Sequence, residues 1–146
     1  MKKKTFQNPA LLFIASVILV ACNNSADIDI TERFLMDIGF TTEINLIEKQ
    51  RKAAWQKIDI TNEEREEIVN LIDQTILESK SAFKNKIDEL YSKDKLTGAM
   101  KDKKSSHYEE IKNNLIEISE TKTEELNGTL DNGISDIRYR YGCCLQ

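Results

Sequence analysis

Proline is almost missing: the one copy, Pro9, sits near the start, and residues 10–146 contain none. Glycine is scarce as well, at positions 39, 98, 128, 133 and 142, which leaves residues 40–97 free of both helix breakers. With abundant Glu, Lys, Ile and Leu, that is the composition of long helices. There is no glycine-rich phosphate loop and only one histidine, His107. No Ser-His-Asp or His-Cys grouping has the local context of a nucleophile motif, so no catalytic residue is assigned and an enzyme is not expected. Paired carboxylates such as Glu63-Glu64, Glu66-Glu67 and Glu124-Glu125 recur at helical spacing and read as solvated faces. No metal site is expected: nothing in the spacing of His107, Cys143 and Cys144 supports a zinc centre. No cofactor is expected from these residues.

What is present begins with MKKKTFQNPALLFIASVILVAC. Lys2, Lys3 and Lys4 precede an apolar run from Ala10 to Ala21, and no acidic residue occurs before Asp27. Twelve residues of helix reach about 18 Å, well short of the ~30 Å hydrocarbon core of a bilayer. A basic start, a short apolar stretch and small residues before a boundary mark a secretory signal instead. Leu19-Val20-Ala21-Cys22 resembles the bacterial lipobox, and the resemblance covers the first 22 residues. It implies removal of residues 1–21, a diacylglycerol on the Cys22 thiol and a further acyl group on its new amino end. Two or more chains give durable attachment at about 0.8 kcal/mol per buried methylene. Asn23 after the cysteine resembles the non-retained class of enterobacteria. The resemblance therefore implies the bacterial cell envelope, at an outer membrane and facing the periplasm.

Residues 22–146 hold 18 basic against 25 acidic residues, a formal charge of −7, against −4 for the whole chain. Such a chain repels polyphosphate, and nucleic acid is not an expected partner. Residues 22–30 form a short polar tether spanning at most about 30 Å, which keeps the folded part near its membrane.

Hydrophobic periodicity predicts an all-α fold over residues 31–128. The expected architecture is a small antiparallel bundle or long helical hairpin with an additional N-terminal helical region. Thr31 is the expected cap of a first helix carrying Phe34, Leu35 and Ile38, with Gly39 as its stop or kink. Thr41 or Thr42 caps a second stretch, with Ile44, Ile47, Ala54, Trp55 and Ile58 at helical spacing. Thr61 and Glu64 read as a capping box. The helix they open carries Ile68, Ile72, Ile76, Phe83, Ile87 and Leu90 on one stripe. Lys93–Ser105 reads as a linker. Ser106 and Glu109 read as a second box, opening a stripe of Tyr108, Ile111, Leu115, Ile118 and Leu126 that ends near Asn127-Gly128. Residues 129–146 are expected to form a tail, extended or helical, that packs Ile137 and a tyrosine on the bundle.

The adjacent pair Cys143-Cys144 is open to three readings: a strained vicinal bridge, bridges to a second copy of the chain, or free thiols. The last four residues also fit a prenylation pattern in outline, which an exported chain would not use. Lysines cluster: residues 80–104 hold eight against four acids, whereas residues 31–79 hold 11 acids against six bases. Either the two regions attract each other, or the lysines form a patch for anionic headgroups.

The expected function is a membrane-anchored, non-enzymatic helical module that binds another envelope protein, of exclusion or immunity type. Trp55, Phe40 and Met36 are the candidate partner-facing residues, with Leu35 and Tyr91 beside them. The segment Ile60-Thr61-Asn62-Glu63-Glu64-Arg65 resembles the Leu-Thr-x-x-Gln helix start of Spy-type periplasmic chaperones, with Glu64 in place of Gln. That resemblance implies a different role, binding of unfolded clients. A thiol-dependent activity of Cys143-Cys144 is a third expectation.

Overall fold

A computed structural model describes residues 28–143. Cys22 with the expected leader before it, and Cys144, lie outside these residues, as does the side chain of Cys143. The described residues fold as five helices with no strand: α1 (Ile30–Asp37), α2 (Phe40–Trp55), α3 (Asn62–Leu90), α4 (Lys93–Lys101) and α5 (Ser106–Cys143). The all-α expectation is met. No helix among the described residues is long and apolar enough to cross a membrane.

α3 and α5, of 29 and 38 residues, run antiparallel and form the spine. Their register is fixed at both ends: Asn114 donates to the Tyr91 hydroxyl at one, and Arg138 and Arg140 pair with Glu64 and Glu67 at the other. The expected stripes meet along this seam. Ile68, Ile72, Ile76, Phe83 and Ile87 are buried from α3, and Tyr108, Ile111, Leu115 and Leu126 from α5. Leu90, the last member of the α3 stripe, stays exposed where the helix ends. α2 lies against the seam as the third helix of the bundle and buries Phe40 and Ile44.

Residues 129–143 are not a separate tail, because α5 runs straight through Asn127-Gly128. Leu130, Ile134 and Ile137 continue the spacing of Leu126 and are buried, with Tyr141 packed beside them. Each glycine inside a helix costs about 1 kcal/mol relative to alanine. Each buried Leu or Ile returns roughly 1.5–3 kcal/mol, so the helix wins. Gly133 is also a point of close approach: a Cβ there would lie 2.7 Å from Leu71 Cδ2 of α3.

The Lys93–Ser105 segment is mostly helix rather than linker. Ser92 caps α4 by accepting from the Lys95 N–H at 3.3 Å, and the helix buries Leu96 and Ala99. Caps elsewhere shift by a residue or two. Asp29 takes the N-cap position of α1, because the Thr31 hydroxyl is buried and donates to Asp88 at 2.7 Å. Gly39, in the left-handed region at φ 85°, ends α1 and opens α2 in place of Thr41 or Thr42. Ser105, not Ser106, caps α5 by accepting from the Tyr108 N–H at 3.2 Å. Thr61 does cap α3, accepting from the Glu64 N–H at 3.2 Å. The Glu64 carboxylate, however, faces Arg138 of α5 at 3.2 Å.

Arg65 closes the turn between α2 and α3. Its guanidinium donates to the carbonyls of Trp55 at 2.6 Å, Ile58 at 3.1 Å and Ile60 at 3.4 Å. A cation at the end of α2 also meets the negative pole of that helix. Arg65→Ala is expected to lower unfolding free energy by about 1.5–3 kcal/mol, the range for hydrogen bonds to a charged group. Urea denaturation measures it.

α1 and α4 cover the other end of the spine, where α3 finishes and α5 begins. Phe34 packs tilted on Tyr108, centroids 5.8 Å apart. The Tyr108 hydroxyl donates to Asp37, whose other oxygen accepts from Lys103 at 2.6 Å. The bonds from Lys103 and then Tyr108 hold the Asp37 carboxyl below its usual range, so this contribution is lost as acid protonates it. Burial, followed by the bond to Asp37, pushes Tyr108 up to about 12. Between the ordinary 10.0 and that value the unfolded chain loses a proton that the folded chain keeps. Stability contributed by this tyrosine is therefore complete below pH ~10 and falls as pH rises through ~12. Tyr108→Phe is expected to flatten that alkaline decline, measured as the difference in unfolding free energy between about pH 9 and about pH 11.

Candidate binding surface

The sequence-derived partner-facing residues separate sharply. Met36 is 46% exposed on the outer side of α1. Phe40, at 1%, is core, and Leu35 is buried as well. Phe40 meets Phe83 edge-on with centroids 4.5 Å apart, and the favourable geometry of that pair explains why it turns inward. Its expected role as an exposed contact is corrected accordingly. Trp55 is half-buried at the far end of the bundle, with Arg138 over its ring at 5.9 Å. Tyr91 is likewise half-buried, under Lys95 at 5.2 Å.

Met36 belongs to a groove of about 470 Å³ between α1, the start of α2 and the outer face of α3. Leu35 and Phe40 contribute to its floor, and Met36 and Leu77 form apolar edges. Leu77, at 66%, is among the most exposed large apolar side chains of the fold, and Leu46 on α2 is half exposed. Sequence reading missed Leu77 because it attended to the buried stripe. Leu77 follows Ile76 directly, so on a 3.6-residue period it points about 100° away from the seam. A lone leucine off the stripe was the available signal.

The rim is charged and internally paired. Lys84 reaches Asp29 at 3.0 Å and Glu32 at 3.3 Å, and Lys93 of α4 reaches Asp29 at 3.4 Å. The hydrogen bond from Lys84 outweighs partial burial and holds the Asp29 carboxyl below its usual range. The same contact raises Lys84. Lys80 donates to Asn45 at 2.8 Å across the groove. These contacts link α1 and α2 to α3 along the groove. Its chemistry is that of an apolar slot with donors along one edge.

The acids and lysines beside it pair with one another along the rim. Among the described residues, no three His, Cys, Asp or Glu side chains gather as a metal site. His107 is exposed in the first turn of α5. Cys22, Cys144 and the Cys143 side chain, the expected lipid and thiol positions, fall outside the described residues.

Compared with protein-family models, with curated proteins and with solved structures, the chain matches none of them. The functional reading therefore rests on the residues themselves.

Proposed function

We propose that the protein is a lipid-anchored, non-enzymatic binding module of the bacterial cell envelope. In this reading the groove of Met36, Leu77, Leu35 and Phe40 receives an apolar segment of another envelope protein. The supporting observation is the exposure of Leu77 and Met36 beside a pre-formed slot, on a fold whose other long apolar side chains are mostly inside. Exposed apolar groups that adjoin each other in a concave site favour partner recognition over incidental exposure. The anchoring half of the proposal rests on Leu19-Val20-Ala21-Cys22.

A photo-crosslinking side chain at Met36, in intact cells of the native host, tests the docking half. One protein species is expected to cross-link there and not from the exposed α5 position Glu120. Leu77→Asp should weaken that cross-link tenfold or more, as for about 2 kcal/mol at a contact centre, while changing stability by less than about 0.5 kcal/mol. An unchanged cross-link in a folded Leu77→Asp protein would sink the groove as the docking site. Chaperone-like binding of unfolded clients is the second reading, supported by the same apolar slot. A slot of about 470 Å³ suits a few side chains rather than a collapsed chain. Suppression of client aggregation in vitro would favour that reading instead.

A further inference from the structure

The described chain starts at Ile28, and Asp29 next to it contacts Lys84 near the end of α3 and Lys93 at the start of α4. Whatever holds residue 22 therefore holds the molecule by its α4 end, because six further residues reach at most about 21 Å. Charge is distributed unevenly along the same axis. Residues 28–39 and 84–112, which build that end, carry nine basic and nine acidic side chains. Residues 40–83 and 113–143, which build the rest, carry nine basic against 15 acidic. Within the first group, residues 93–104 hold five lysines and two aspartates. Leu96 and Ala99 turn inward from α4, which leaves Lys93, Lys95, Lys101 and Lys104 exposed. Lys101 and Lys104 have no ion-pair partner among the described residues.

We propose that the α4 end of the bundle rests on an anionic lipid surface, with Lys93, Lys95, Lys101 and Lys104 facing its phosphates. The inference uses the membrane tether of the preceding section but not the groove. Distance decides between attraction and repulsion here. The surface field decays over about 8 Å at physiological salt, whereas α3 alone is about 43 Å long. A lysine within that layer gains about 1 kcal/mol, and the acidic residues at the far end lie well outside it. The −6 excess of the distal part then disfavours the molecule lying flat. The bundle stands upright, with the groove edge formed by α1 close to the headgroups.

Lysine acetylation read by peptide mass spectrometry tests this on the full-length protein in vesicles. Two compositions are compared, phosphatidylcholine alone and with about one-third phosphatidylglycerol. On the anionic vesicles, Lys101 and Lys104 should react about fivefold more slowly than on the neutral ones, and high salt should remove the difference. Lys57, exposed beyond α2 at the opposite end, should react equally on both. Lys101→Glu with Lys104→Glu should return Lys93 and Lys95 to their rates on neutral vesicles. Equal rates at Lys101 and Lys104 on both vesicles would overturn the proposal, as would equal slowing by free phosphate in detergent. Circular dichroism of the double variant confirms that the comparison is made on folded protein. The mass of the Cys22 peptide in the same digest reports acylation separately. An unmodified Cys22 with slowed Lys101 therefore sinks the lipid anchor and leaves the orientation standing.

Discussion

Phe83→Ala is expected to lower the unfolding free energy by about 3–5 kcal/mol, the usual cost of deleting a buried aromatic ring. Phe83 is wholly buried where α2 meets α3, and its ring supports Phe40 edge-on. The loss therefore combines transferred apolar surface, a cavity and a broken aromatic pair. A domain of this size holds about 5–15 kcal/mol in total, so a large part of it disappears. Leu77→Ala, six residues earlier on the same helix, is the internal control. Because Leu77 projects from the fold, its truncation should cost less than about 0.5 kcal/mol. Urea denaturation of both variants measures the contrast; comparable midpoints would contradict the burial pattern on which the groove also rests.

Cys22→Ser carries the largest expected effect on location. Each acyl chain with about 15 buried methylenes contributes roughly 12 kcal/mol toward membrane attachment at 0.8 kcal/mol per methylene. The 12-residue run Ala10–Ala21 replaces that poorly, being about 12 Å too short to span. The variant should incorporate no labelled palmitate and become extractable by alkaline washing, whereas the unaltered protein is expected to incorporate it and to resist the wash. Labelled palmitate in the variant would place the lipid elsewhere, and equal extraction of both would remove the anchor from the account.

The long helices were legible because each repeats its buried residue every three or four positions over many turns. Ile68 to Ile87 and Tyr108 to Leu126 needed no tertiary information. The elements misread are those where local chemistry competes with packing. Asn127-Gly128 and Asp131-Asn132-Gly133 carry turn residues, yet Leu130, Ile134 and Ile137 have a long partner helix to bury against, and burial outweighs two glycines. α4 hid because nine residues with Gly98 and three lysines offer only Leu96 and Ala99 as a buried pair. Phe40 and Met36 looked equivalent as apolar residues near Gly39. The left-handed turn at Gly39 starts a new helix between them, on which Phe40 turns inward to meet Phe83 while Met36 stays out on α1. Leu77 was invisible for the opposite reason, being apolar within a helix already assigned its core face.

Mass spectrometry of the amino-terminal peptide, from protein isolated from the membranes of its native host, bears most directly on the tethered module proposed above. The expected peptide begins at Cys22 and carries a thioether-linked diacylglycerol with a fatty amide on its amino group. A peptide that still contains residues 1–21, with a free Cys22 thiol, would contradict it.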